Sequence, residues 1–291
     1  MRMNALLTAL RSAVRSLAAA RGFTTTAVLT IALGVGATTG IFSLVRGVLL
    51  RELPFPESHR LVAVWEKAPQ GRNDRNVVNP GNYLNWRERA RSFSTLTAVT
   101  LWTTTFVPGS AGGVSTEGAE RLSAALVGPD FFETFGARAL VGRTFLAEES
   151  TDGHDEVVVL SESFWRRRFA GDPAVIGSKL TLDGTTVSVV GVVGGLEIPP
   201  GAELWAPIGF GPAHRDSRGR WLGVVGRLAP GATVAGATAE MTALAAVLAS
   251  ERPEFNTGWG ANVVQLQENF VGGFRLALWV LLGAVGSPLL V

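Results

Sequence analysis

The chain has 291 residues, 47% of them hydrophobic and only 17% charged, with a mean hydropathy of +0.27. That balance excludes a disordered tail, a coiled coil and a collagen-like fibre, and points to a protein partly embedded in a membrane. The sequence holds no cysteine, which excludes disulfides, a thiolate nucleophile and any cysteine-built metal centre. The formal net charge is +2, but residues 1–22 contain Arg2, Arg11, Arg15 and Arg21 and no acid, which leaves the remainder at −2. A nucleic-acid binder needs its basic excess on the folded domain, so no nucleic-acid partner is expected.

The first element is an N-terminal stretch, 1–22, in which Leu6, Leu7, Leu10, Val14 and Leu17 recur at helical spacing. It reads as a cytoplasmic amphipathic helix with its arginines on anionic lipid. From Phe23 to Val45 no residue is charged, and 23 residues are enough to cross a bilayer core. Residues 23–50 are therefore expected to form a first transmembrane helix, with the arginine-rich N-terminus in the cytoplasm and the following residues outside it. Within this segment Gly34, Gly36 and Gly40 offer a small-residue face for helix packing. A second apolar run, 274–291, has 16 uncharged residues after Arg275 and reads as a second crossing that is cut short.

Residues 51–273 lie between the two runs and mix helix and strand signals. LVAVWE (61–66) reads as a strand, and Asn79-Pro80 opens a helix containing Tyr83, Leu84, Arg87 and Arg91. The stretch 108–118 is rich in glycine and serine and reads as a loop. Gly128-Pro129 leads into DFFETF, a short helix stopped by Gly136. VVVL (157–160) is a strand, and Ser161 caps a helix through Arg166, Arg167 and Arg168. Residues 180–193 form two β-rich runs around Asp183-Gly184, a hairpin turn pair. WLGVVGRL (221–228) is a further strand. Thr233 then opens a long helix with a stripe of Val234, Ala237, Met241, Leu244, Ala245 and Leu248, ended by Pro253. The fold class is membrane-anchored α+β: an N-terminal transmembrane helix, a mixed extracytoplasmic domain with room for two lobes, and the start of a second transmembrane helix.

No motif assembles a base, a nucleophile and an oxyanion donor, so no catalytic residue and no enzymatic activity is expected. The acidic run with Glu148, Glu149, Asp152, His154, Asp155 and Glu156 lacks the alternation of a calcium loop and reads as a solvated turn. His214-Arg215-Asp216 lacks the remaining kinase motifs, and there is no phosphate-binding loop. No cofactor and no metal is expected. The arginines at 166–168 read as a wet face paired with nearby acids.

The ordered segments FTTTAVLTIALGVGATTGIFSLVRGVLLRELPFPESHRLVAVWE, NYLNWRERARSFSTL, LVGPDFFETFGARALVGRTF, VVVLSESFWRRRFAGDPAVIGSKLTLDG, VVGVV, GRLAPGATVAGATAEM and FRLALWVLLGAVG resemble the N-terminal portion of a MacB/FtsX-like ABC transporter permease. The likeness is to the duplicated-permease subgroup and covers nearly the whole chain. It departs at the end, where Ser287-Pro288 interrupts the apolar run. The resemblance implies a MacB-like periplasmic core domain at 51–273, an inner-membrane location and four or more membrane helices in a complete permease. The partners it implies are a separate cytoplasmic ABC ATPase subunit, a second permease copy, membrane lipid and a periplasmic partner. It further implies an export or mechanotransmission role, in which the external domain relays ATPase-driven helix motion. The competing reading is a stand-alone membrane-tethered binding module.

Overall fold

The structure is a computed structural model that describes residues 15–49, 53–71, 73–108 and 118–270, with the side chains of 27, 37, 38 and 41–49 outside the description. It separates into two units, one carrying the N-terminal helix and the other spanning Leu53–Asn269. Of the expected amphipathic helix at 1–22, residues 1–14 lie outside the described residues, and so does the expected second crossing at 274–291.

Helix α1 runs Arg21–Leu49 without a break. Phe23, Leu29 and Leu33 are all exposed, the last at 73%. The hydroxyls of Thr26, Thr30 and Thr39 donate to carbonyls four residues back, at 3.0, 2.8 and 2.8 Å. Each hydroxyl is thereby satisfied inside the helix without water. Among the described residues, no helix is long and apolar enough to cross a membrane.

The second unit is built on ten strands. In chain order these are β1 (Leu61–Lys67), β2 (Phe93–Val107), β3 (Glu120–Val127), β4 (Ala139–Gly142), β5 (Val157–Ser161), β6 (Lys179–Leu182), β7 (Thr185–Val193), β8 (Leu204–Pro207), β9 (Gly223–Leu228) and β10 (Gly260–Gln265). Between them stand α2 (Pro80–Arg89), α3 (Phe131–Phe135), α4 (Glu162–Phe169), α5 (Pro212–Arg215), α6 (Val234–Glu251) and α7 (Pro253–Asn256). The helix starts follow the sequence. Asn79 accepts from Gly81 and Asn82 nitrogens, Ser161 from that of Phe164, and Thr233 from that of Gly236. Helix α2 ends at Arg89, short of the expected Arg91, and Ala170, left-handed at φ 52°, closes α4. Asp183 and Gly184 both take positive φ, 48° and 85°, as a tight hairpin turn between right-twisted strands requires.

The strands form two lobes that share β2. The first is the antiparallel row β10-β1-β9-β2. Alternation along β1 sends Val62 and Val64 to one face, where α2 and α6 supply Tyr83, Trp86, Ala237, Met241 and Leu248. Leu61 and Ala63 point to the other face, where α3 supplies Phe131 and Phe135. Burial on both faces explains why the start of β1 reads as an uninterrupted apolar run.

The second lobe closes on itself. Strand β2 pairs with β3, β3 with β8, β8 with β5, β5 with β7, β7 with β6, and β6 with β2 again. The ring is a six-stranded barrel filled by Phe106, Leu122, Leu160, Phe164, Leu182, Val189 and Leu204. Closure rests on two residue pairs, Phe106 with Leu182 and Val107 with Thr181. Asp183 reinforces it: its carboxylate accepts from the Thr105 nitrogen at 2.9 Å, and its own nitrogen donates to the Thr105 carbonyl at 3.0 Å. The bond from the Thr105 nitrogen, above all, holds the Asp183 carboxyl below its ordinary range.

Candidate functional site

Strands β1 and β10 bring the ends of this unit together. They pair antiparallel from Val62 opposite Gln265 to Lys67 opposite Gly260. The start of β1 therefore lies beside the end of β10. The Trp65 indole donates to Asn269 at 3.1 Å, and the Gln265 amide donates to the His59 carbonyl at 3.1 Å. Strand β10 is the outer strand of the row and β1 is interior to it.

At the far end of this pair Glu66 is a buried hub, 1% exposed. One carboxylate oxygen accepts from the Asn79 backbone nitrogen at 3.1 Å and the Asn82 amide at 2.8 Å. The other oxygen accepts from the Arg220 guanidinium. Arg220 also donates to the Phe255 carbonyl at 2.8 Å and stacks over the Trp259 ring at 3.5 Å from its centroid. Asn82 continues to Asn256 at 2.7 Å, and Asn79 donates to the Ser217 and Gly219 carbonyls at 2.6 and 2.9 Å. One carboxylate thus ties β1, the start of α2, the segment before β9 and the approach to β10. A buried ion pair holds only when such hydrogen bonds satisfy both partners.

The near end differs. Arg60 donates to the Leu228 carbonyl through Nε and Nη2, at 2.9 and 2.6 Å, and pairs with Glu57 at 2.8 Å. Arg227 on β9 is 91% removed from solvent, with 9% exposed. It donates to the Thr134 carbonyl at 3.0 Å and the Glu57 carbonyl at 3.4 Å. Its Nη2 is buried without a partner among the described residues. Burial, then the like charge of Arg60, push the Arg227 guanidinium below its ordinary value, against the pull of Glu57. The hydrogen bond from Arg60 holds the Glu57 carboxyl below its ordinary range.

The residues singled out by sequence fall elsewhere. Gly34, Gly36 and Gly40 lie on α1, and a Cβ added at Gly36 or Gly40 would meet nothing within 4 Å. The acidic run is dispersed. Glu149 pairs with Arg143 at 2.6 Å, while Asp155 and Asp152 occupy the space that side chains on Gly209 and Gly211 would need. Among the described residues no group of acids and histidines could hold a metal ion. His214 accepts from the Gly211 nitrogen, Arg215 pairs with Glu88, and Asp216 pairs with Arg252. Arg166 pairs with Glu162, Arg167 with Glu120 and Glu203, and Arg168 stacks over Phe106. The sequence reading missed the Glu66 hub. The available signal was a lone acid at the end of an apolar strand, but its partner Arg220 is 154 positions away.

Residues 24–244 match the family described as the MacB-like periplasmic core domain. Two solved structures share the fold. One is a domain of a protein from Porphyromonas gingivalis described as a permease, at 18% identity over 74% of this chain and 93% of that one, with a TM-score of 0.55. The other is the periplasmic region of MacB from Actinobacillus actinomycetemcomitans, at 14% identity over 81% and 98%, with a TM-score of 0.53. A search of curated proteins finds no match. The family match covers more than half of the sequence, so the chain belongs to the MacB-like periplasmic core domain family.

Proposed function

We propose that this chain serves an ABC-type export or mechanotransmission system as permease subunit, with its core domain outside the cytoplasm and a separate ATPase on the inner side. In this reading the energy of ATP reaches the domain as movement of membrane helices. The observation that carries it is the pairing of β1 with β10. The two segments joined to the apolar runs of the sequence attach to one end of the domain, on neighbouring strands. A displacement of either run acts on the same strand pair. The Glu66 hub fastens the far end of that pair to α2 and α7, so the load passes into the packed lobe and does not peel the outer strand away.

Helix α1 is the proposed anchor. Its uncharged run, counted over the sequence from Phe23 to Val45, is 23 residues long and includes positions whose side chains are outside the description. Exposed apolar side chains and internally bonded threonines suit a helix surrounded by lipid. The Gly34, Gly36 and Gly40 face would receive another membrane helix.

Two measurements test the reading. The chain has no native cysteine, so a single cysteine at Pro200 reports topology cleanly. A membrane-impermeant maleimide should label it in intact cells, and labelling only after lysis would remove the proposed orientation. For the relay, a spin label at exposed Val247 on α6 is read in the assembled permease with its ATPase. The copy-to-copy distance should shift between nucleotide-free and vanadate-trapped states. An unchanged distribution would leave the domain a tethered binding module.

A further inference from the structure

We propose that the Glu57 carboxylate is a two-position switch that exchanges between Arg60 and Arg227 beside the start of β1. Its Oε2 lies 2.8 Å from Arg60 Nη1 and 3.9 Å from Arg227 Nη1, so one carboxylate stands between two guanidinium groups. The two competitors are unequal in need. Arg60 is already bonded twice to the Leu228 carbonyl. Arg227 is buried, carries an Nη2 with no partner among the described residues, and meets Glu57 through the backbone carbonyl at 3.4 Å. A buried cation with an unmet donor gains more from a carboxylate than a partly exposed one does. The carboxylate itself is free to move, since the Glu57 side chain is 57% exposed.

Backbone geometry adds to this. Glu57 holds φ 47° and ψ 46°, a left-handed conformation that non-glycine residues rarely adopt, at the head of a single 3-10 turn, Ser58–Arg60, leading into β1. A small rotation there moves the side chain between the two arginines. The turn stands between the apolar run and the strand pair, where a pull on β1 would be felt first. That last link rests on the relay reading; the exchange between arginines does not.

The experiment measures thermal unfolding of the full chain in lipid nanodiscs. Glu57→Gln is compared in the native background and in Arg60→Gln, which keeps an amide donor for the Leu228 carbonyl. If the carboxylate switches, Glu57→Gln still lowers the melting temperature by roughly 2–4 °C in the Arg60→Gln background, on the scale of a modest interaction in a chain this size. Adding Arg227→Met should abolish that residual effect. If Glu57→Gln has no effect once Arg60 is replaced, the carboxylate serves Arg60 alone and the switch is overturned. Should Arg60→Gln fail to fold, Glu57→Gln is compared with and without Arg227→Met in the native background, where absence of coupling overturns the switch. Failure of the relay would show as an unchanged Val247 distance and leave these melting comparisons intact.

Discussion

The two ends of the β1–β10 pair solve the same problem in opposite ways. At the far end a buried arginine meets a buried carboxylate, and amide groups take up the remaining lone pairs. At the near end a buried arginine bonds to carbonyls, and the nearest carboxylate lies closer to another arginine. Buried charge is costly in both places, but only the far end is compensated in full. One end is therefore built to stay and the other to change.

The comparison breaks most directly at the hub. Glu66→Ala should destabilise the chain by about 3–5 kcal/mol, because it strands Arg220 inside the lobe. Chemical denaturation of the full chain measures this, and a loss below about 1 kcal/mol would show that the hub is not buried in solution. Replacing both partners, Glu66→Gln with Arg220→Met, should cost clearly less than Glu66→Ala alone, since no charge is left unpaired. At the near end Arg227→Met should fall within about 1 kcal/mol of the native chain, as the lost hydrogen bonds are offset by removal of an unsatisfied charge. A loss as large as that of Glu66→Ala would erase the distinction between the two ends.

Acid sharpens the comparison further. Burial works against the charged Glu149, but hydrogen bonds from Arg143 and the Leu146 nitrogen outweigh it and hold its carboxyl below the ordinary range. Glu57 and Asp183 are lowered as well. A carboxyl lowered by folding contributes stability that is complete above its unfolded value, about 4.3 for glutamate, and is lost as pH falls through the folded value. Denaturation midpoints should therefore hold at neutral pH and fall below that region, with a shallower fall in Glu149→Gln. The smallest effect is expected at Arg167→Ala. Arg167 is half exposed, so water screens its pairs with Glu120 and Glu203, and such pairs contribute about 0–1 kcal/mol.

What the sequence made legible was local. Asn79-Pro80, Ser161 and Thr233 announce helix starts because a side-chain oxygen there caps nitrogens two or three residues on. Asp183-Gly184 announces its turn because both residues tolerate positive φ. Strand β2 was not legible. Its fifteen residues face different partners along their length, so no single alternation runs through FSTLTAVTLWTTTFV. Barrel closure joins Phe106 to Leu182, and the hub joins Glu66 to Arg220; neither spacing leaves a periodic trace.

The sharing of β2 has a consequence for how the domain can vary. From Phe93 to Val99 it is paired with β9, and from Val99 onward with β3. Strand side chains alternate with a period of two, so one residue inserted near Val99 would turn the later half inside out while leaving the earlier half correct. Phe106 would leave the barrel interior and its exposed neighbours would be driven in. Natural length changes should therefore avoid the middle of this strand, and a tag or graft placed there should be rejected outright.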